Sequence, residues 1–135
     1  MQLRGAPFPE SIMAKKILIV DDSSTQRLAS RMLLGNRTNF DLISACDGKE
    51  GLETAIRETP DLILMDVEMP RMTGLEACKL LKQNEVTKAI PIILLTMRGE
   101  ESYVRQGYAN GCSEFLTKPM DERKLLAAIK KHLPE

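Results

Sequence analysis

Five polar residues stand at or just beyond the ends of apolar stretches, and their side chains are the ones that could do chemistry together. Three offer carboxylates, one offers a hydroxyl and one offers an ammonium group. The five residues are Asp21, Asp22, Asp66, Thr96 and Lys118.

Three carboxylates within ~5 Å of one another would repel by about 3 kcal/mol per pair at an effective dielectric constant of 20. A hard divalent cation relieves such repulsion, and ligands that are all oxygen favour magnesium over zinc. Thr96 could donate to one phosphoryl oxygen, and Lys118 could neutralise another. A carboxylate in this setting could act as a nucleophile toward phosphorus.

These residues can meet only if the apolar stretches are strands of one parallel sheet. Stretches at helical spacing separate the strands, and alternation of strand and helix predicts a parallel sheet with helices on both faces. All strands of such a sheet end on one side, where functional crevices form. The predicted strands are Ile17–Val20, Asp41–Ala45, Asp61–Met65, Pro91–Leu95 and Glu114–Thr117.

Strand composition and capping residues refine this prediction. The first, third and fourth strands are almost entirely apolar, which is typical of central strands, whereas the mixed second strand suits an edge. Ser23 or Ser24 can cap the first helix, Asp121 can cap the last, and Gly74 opens the third.

Length and composition fit one domain of 135 residues, with 43% hydrophobic and 28% charged residues. The formal net charge of zero gives no reason to expect direct nucleic-acid binding. The cysteines Cys46, Cys78 and Cys112 have no metal-site spacing, and we expect buried free thiols in a cytoplasmic protein. No apolar run is long enough for membrane insertion.

Residues 1–14 contain two prolines and no continuous apolar stretch, so we expect a flexible extension followed by a domain over residues 15–135. Little sequence follows the last predicted helix. We therefore expect no output domain after that helix, and two interpretations stay open: a complete single-domain protein that acts by binding a partner, or one domain cut from a longer protein.

Several motifs resemble the receiver domain of two-component response regulators, particularly the single-domain chemotaxis type. They are "VDDS", "DLILMDVEMPRMTGLE", "PIILLT" and "NGCSEFLTKP", and the resemblance runs from about Lys15 to Leu133. It implies an α/β, flavodoxin-like, doubly wound sheet of five parallel strands in the order 2-1-3-4-5, with five helices.

The resemblance also implies a role for each site residue. Asp66 is implied to be the phosphoacceptor, which takes a phosphoryl group from a histidine kinase or phosphotransfer protein. Lys118 would pair with that group, and Pro119 suggests a cis peptide bond. The Mg²⁺ ligands would be Asp21, Asp22, Asp66 and the backbone carbonyl of Glu68.

A switch is implied as well. Thr96 would move onto the phosphoryl group, and Phe115 would turn into the space that Thr96 vacates. A downstream protein would then dock on the face formed by helix 4, strand 5 and helix 5. Phe115 has no hydroxyl, so we do not expect a contact to the target that depends on tyrosine.

Three positions depart from the commonest pattern and are candidate modulators. Met97 is bulkier than the small residue often found after the switch threonine, and could obstruct access. Glu68 is acidic where many relatives are neutral. Arg98 could face Glu68, either screening Asp66 from water or forming an ordinary surface pair, and the second interpretation is slightly favoured.

Three other functions remain open at this stage. A phosphatase with an aspartate nucleophile would need a DxD-type loop and a cap, which Asp66-Val67-Glu68 only partly imitates. A flavin- or nucleotide-binding domain would need a phosphate-binding loop where Asp21 and Asp22 stand. A receiver fold kept only for protein interaction would not need all five site residues. We therefore expect a signalling switch and not an enzyme.

Overall fold

The computed structural model describes residues 15–35 and 40–133, and the predicted extension over residues 1–14 lies outside them. Five strands alternate with five helices along these residues. The strands are β1 (Lys16–Val20), β2 (Asp41–Ala45), β3 (Leu62–Asp66), β4 (Ile92–Thr96) and β5 (Glu114–Thr117). The helices are α1 (Ser24–Gly35), α2 (Gly48–Glu58), α3 (Gly74–Gln83), α4 (Glu101–Ala109) and α5 (Glu122–His132).

The strands form one parallel sheet in the order β2-β1-β3-β4-β5, which confirms the predicted fold. Strands β3 and β4 each begin one residue later than predicted. Asp61 precedes β3, where its side chain accepts a hydrogen bond from the Lys16 N–H at 2.7 Å. Pro91 has no N–H to donate to the ladder. Asp66 and Thr96 are consequently the last residues of their strands.

The core lies on both faces of the three central strands. Side chains alternate along a strand, so Leu18 and Val20 pack into one hydrophobic cluster while Ile17 and Ile19 pack into the other. Strand β2 is half-buried, as expected for an edge. The central strands are therefore fixed on both sides, which holds their C-terminal ends in a rigid setting.

Helix ends follow the predicted chemistry. The Ser23 hydroxyl accepts from the Gln26 N–H at 3.2 Å, and the Asp121 carboxylate accepts from the Arg123 N–H at 2.9 Å. Helix α3 starts at Gly74 behind a capping box formed by Thr73 and Glu76. Among the described residues, no helix combines the length and apolarity needed to cross a membrane.

All three cysteines are free, but the expectation that all are buried is wrong for one of them. Cys78 and Cys112 are buried, whereas Cys46 is exposed. Cys46 is the first residue after the edge strand β2, where the chain leaves the sheet. Its backbone N–H donates to Glu50 Oε1 at 2.6 Å.

Candidate functional site

The C-terminal ends of β1, β3 and β4 bring the predicted site residues to one edge of the sheet. Asp21 directly follows β1, while Asp66 and Thr96 end β3 and β4. Asp66 lies opposite Leu95 in the ladder, so Thr96 is one residue beyond it on the neighbouring strand. Asp21, Asp66 and Thr96 are only 6%, 4% and 0% exposed, respectively. The site therefore lies at the buried base of this edge.

Lys118 reaches this edge from the loop after β5. Its Nζ lies 2.9 Å from Asp66 Oδ1 and 3.6 Å from Asp21 Oδ2. Its backbone N–H donates to the Thr96 carbonyl at 2.7 Å, which anchors the loop beside β4. The Lys118–Pro119 peptide bond is cis, as the resemblance implies. One ammonium group thus contacts carboxylates from two different strand ends.

The three acids form a group that could hold a metal ion. One carboxylate oxygen from each of Asp21, Asp22 and Asp66 lies within 4.8 Å of the other two. Asp22 is exposed while the other two are buried, so the group opens to solvent on one side. All of these donors are oxygens, and the three acids carry more negative charge than Lys118 can balance. Such a set fits a hard divalent cation such as Mg²⁺.

The surroundings of the Asp66 carboxylate disfavour its ionised form. Burial raises the pKa of Asp66 to about 6, although the hydrogen bond and charge of Lys118 act in the opposite direction. The negative charges of Asp21 and Glu68 add to the increase. An ionised Asp66 is therefore costly in the free protein and gains from an added positive charge.

The Lys118 ammonium stays charged despite its burial. Burial acts to lower the pKa of Lys118, but the hydrogen bond to Asp66 and the charges of Asp66, Asp21 and Glu68 outweigh it and raise the pKa. Lys118 is therefore a permanent positive charge at physiological pH. It can neutralise an anionic group that arrives at Asp66.

Glu68 contacts the end of β4 instead of Arg98. Its Oε2 accepts a hydrogen bond from the Thr96 hydroxyl, and its Oε1 accepts from the Met97 N–H at 3.0 Å. Arg98 pairs with Glu100 at 2.8 Å, and its guanidinium lies 4.9 Å from the centroid of the Tyr103 ring. The suggested Glu68–Arg98 pair is therefore not formed: Glu68 is bonded to Thr96 and Met97, and Arg98 forms its salt bridge with Glu100.

Met97 is 69% exposed. It lines a surface cavity of about 480 Å³ together with Lys118, Pro119 and Met120 from the β5–α5 loop. Residues of α1 form the opposite wall. Met97 thus lies on the surface in a cavity that it shares with Lys118, and it is not packed into the site.

Phe115 lies on β5 under helix α4. Its ring is partly buried and packs against the same cluster as Tyr103. A Cβ atom added to Gly107 would lie 2.5 Å from Phe115 Cδ2, so the helix passes directly over the ring. Phe115 is also among the residues that line a cleft of about 310 Å³ at the β5–α5 segment. The ring itself packs with the cluster on the α4 side of the sheet.

Two residues that support the site were not singled out for this role from the sequence. Arg27 on α1 donates from Nη1 to the Asp21 carbonyl at 2.7 Å. Gly74 lies so close to Asp66 that a Cβ atom there would be 2.2 Å from the Asp66 carbonyl oxygen. Gly74 was noticed only as a helix start, and the side chain of Arg27 gives no sequence signal for its contact.

Comparison with known proteins agrees with this geometry. The family model described as the response regulator receiver domain matches residues 17–130. The chain is a response regulator receiver domain. This membership accounts for the strand order and for the gathering of three acids, a threonine and a lysine at one sheet edge.

Relatives of this receiver domain include proteins of similar length. It is 35% identical to protein PilG of Pseudomonas aeruginosa over 119 residues, which cover 88% of this chain and 87% of that one. It is 36% identical to the polar-differentiation response regulator DivK of Brucella ovis over 124 residues, which cover 90% and 98% of the two chains.

Among solved structures, the receiver domain is similar to the chemotaxis protein CheY4 of Vibrio cholerae. The TM-score is 0.83 at 32% sequence identity, and the similarity covers 89% of this chain and 99% of that one. It is also similar to the signal receiver domain of a histidine kinase from Syntrophus aciditrophicus. That TM-score is 0.81 at 33% identity, with coverage of 89% and 90%.

Proposed function

We propose that the domain over residues 15–135 is a phosphoacceptor signalling switch that accepts a phosphoryl group on Asp66. The donor is a phosphohistidine on a histidine kinase or phosphotransfer protein. The observation that carries the proposal is the placement of Lys118 Nζ 2.9 Å from Asp66 Oδ1, beside two further acids within 4.8 Å. This arrangement holds one nucleophilic carboxylate next to a fixed positive charge.

Asp21, Asp22, Asp66 and the backbone carbonyl of Glu68 would hold the Mg²⁺ ion. When bound, the ion supplies positive charge that offsets the repulsion between these acids and an incoming phosphoryl group. Arg27 fixes the Asp21 carbonyl, and the Ser23 N–H donates to Asp21 Oδ1 at 3.0 Å. Asp21 is therefore oriented by its own neighbours before any ligand arrives.

In the transfer step, an oxygen of the ionised Asp66 attacks phosphorus while the bond from phosphorus to the imidazole nitrogen breaks. The electron pair of that bond leaves with the imidazole of the donor. Lys118 stabilises the charge on the phosphoryl oxygens, and the Thr96 hydroxyl donates to one of them. The product is an aspartyl phosphate on Asp66.

The signal is a change in the packing of Phe115. The phosphoryl group adds roughly −1.5 to −2 charges beside Lys118 and draws the Thr96 hydroxyl toward it. Phe115 then moves into the space that Thr96 leaves. The surface formed by α4, β5 and α5 changes with it and binds a downstream protein in the cytoplasm. One related structure is a chemotaxis protein, so a motility pathway is a candidate setting.

Acetyl phosphate with Mg²⁺ tests the acceptor assignment by intact-mass measurement. We expect one phosphoryl group on the wild-type chain and none on Asp66→Asn, with Asp61→Asn as a control that still accepts it. Persistent incorporation in Asp66→Asn would falsify the assignment. A pull-down with and without beryllofluoride tests the switch, because equal partner binding in both states would contradict it.

Labelling by acetyl phosphate, together with a measurement of phosphate release, separates this function from the alternatives. A phosphatase with an aspartate nucleophile would release phosphate steadily from small esters, whereas a receiver switch consumes about one equivalent of donor per slow turnover. A fold kept only for interaction would accept no phosphate at all. Stable labelling of one site per chain would set both alternatives aside.

A further inference from the structure

The Glu68 carboxylate binds two neighbouring hydrogen-bond donors at the end of β4 in the unphosphorylated protein. The Thr96 hydroxyl donates to one oxygen of the Glu68 carboxylate, and the Met97 N–H donates to the other. The Arg98 N–H donates in turn to Thr96 Oγ1 at 2.9 Å, which fixes the orientation of the hydroxyl. Carboxylate and phosphoryl oxygens both accept charge-assisted hydrogen bonds, so these donors suit either anion.

The donors lie beside the position where the phosphoryl group would form. Glu68 is two residues after Asp66, and Thr96 follows the residue that pairs with Asp66 in the sheet. A phosphoryl group presents three acceptor oxygens and needs donors besides the Lys118 ammonium. The hydroxyl of Thr96 and the N–H of Met97 face the same carboxylate, and they offer two donors to a single anion.

We propose that the Glu68 carboxylate is an internal competitor of the phosphoryl group, because it occupies the donors of Thr96 and Met97 in the unphosphorylated protein. The inference rests on the proposed function and adds a regulatory role for one side chain of the same site. Phosphorylation then exchanges one anion for another at these donors. Glu68 must leave before Thr96 can bind a phosphoryl oxygen, which slows acceptance of the group.

Substitutions at Glu68 distinguish two explanations: occupancy of the Thr96 and Met97 donors by the carboxylate, and simple repulsion of the phosphodonor by its charge. Glu68 is negative, so its charge alone would also repel an anionic donor. Glu68→Asp keeps the charge but is one methylene shorter, so it cannot bridge both donors from the same backbone position. Glu68→Gln removes the charge but keeps one acceptor oxygen. Occupancy and repulsion therefore predict different orders among these variants.

The experiment measures the initial rate of phosphorylation by acetyl phosphate with Mg²⁺, again by intact mass. For Glu68→Ala we expect acceleration of about tenfold, which corresponds to about 1.4 kcal/mol. We expect Glu68→Asp to be accelerated as well, and Glu68→Gln to lie between wild type and Glu68→Ala. If Glu68→Asp matched wild type while the Gln and Ala variants were equally fast, repulsion would explain the data and the proposal would be overturned.

Glu100→Gln is the matched control, because it removes one negative charge from the loop after β4, close to Met97 in the sequence, without removing a contact to Thr96. It should leave the rate unchanged, and an acceleration equal to that of Glu68→Ala would overturn the proposal. In ¹⁵N spectra without any donor, Glu68→Asp should shift the Met97 amide signal, and an unchanged signal would contradict the contact. Labelling of wild type and Glu68→Ala at equal rates overturns this inference alone. No labelling of either protein overturns the proposed function and this inference with it.

Discussion

Lys118 donates a hydrogen bond to Asp66 across 52 positions of the sequence, with 2.9 Å between Nζ and Oδ1. The same ammonium lies 3.6 Å from Asp21. Lys118 therefore neutralises part of the charge that would otherwise attract a metal cation. In the proposed function, the same ammonium would be the positive partner of a phosphoryl group on Asp66.

Lys118→Met should separate these two effects. Without the ammonium, the carboxylates attract Mg²⁺ more strongly, so we expect several-fold tighter binding at pH 8 by calorimetry. Phosphorylation by acetyl phosphate should nevertheless slow by about 10²-fold, because the charge that stabilises the transition state is lost. Lys49→Met, on the exposed surface of α2, should change neither quantity. Weaker Mg²⁺ binding in Lys118→Met would contradict the competition between the two cations.

Asp66→Asn should stabilise the protein above pH 6 in the absence of metal. The folded-state pKa of Asp66 is raised to about 6 by burial, so the folded protein binds this proton more tightly than the unfolded chain. The resulting contribution to stability is present below about pH 4 and is lost as the pH rises through about 6. An asparagine does not ionise and avoids this loss.

We expect Asp66→Asn to increase the free energy of unfolding at pH 8 by about 1–2 kcal/mol, after allowing for the weakened contact with Lys118. The difference should shrink toward pH 4. Urea denaturation at a series of pH values measures it. Saturating Mg²⁺ should reverse the order by stabilising wild type more than the variant. A variant less stable than wild type at pH 8 without metal would contradict the effect of burial.

The affinity for Mg²⁺ should depend on pH, because the Asp66 carboxylate can bind either the ion or a proton. Because the ion must displace the proton of Asp66, the dissociation constant should rise roughly tenfold per unit as the pH falls below about 6. In Asp66→Asn, binding should be weaker and nearly independent of pH near 6. Calorimetric titrations between pH 5 and 8 measure both. A wild-type affinity that is constant across this range would be inconsistent with Asp66 as a ligand.

Gly74→Ala should disturb the site from the far side of the loop. The added Cβ atom would meet the Asp66 carbonyl oxygen at 2.2 Å, so the loop after β3 or the start of α3 must move. We expect a loss of more than about 2 kcal/mol in stability and slower phosphorylation. Gly35→Ala is the control, since the nearest atom to its Cβ is 4.0 Å away. Equal effects of the two substitutions would exclude the steric explanation.

The sequence allowed the fold to be predicted closely, and the reason is general. Apolar strands separated by helical segments have few alternatives to a parallel sheet, and parallel strands carry their terminal residues to one edge. Asp21, Asp66 and Thr96 are neighbours for this reason alone. The strand order came from the family resemblance, since composition does not distinguish among orders with the same central strands.

The contacts of side chains in the loops could not be predicted in the same way. A pairing of Glu68 with Arg98 was one possibility, but Glu68 bonds to Thr96 and Met97 while Arg98 pairs with Glu100. Cys46 was expected to be buried, but the chain leaves the sheet before it. Such details depend on loop backbone conformation, which hydrophobic periodicity does not encode.

Among the residues that the structure describes, strand β5 has β4 as its one neighbour, at the edge of the sheet, and Lys118 follows it. A chain in which β5 is undocked has its three acids but lacks the ammonium group of Lys118 beside them. Completeness of the site is thus tied to the integrity of one short edge strand, so local opening of that edge removes the positive charge before the acidic half is disturbed.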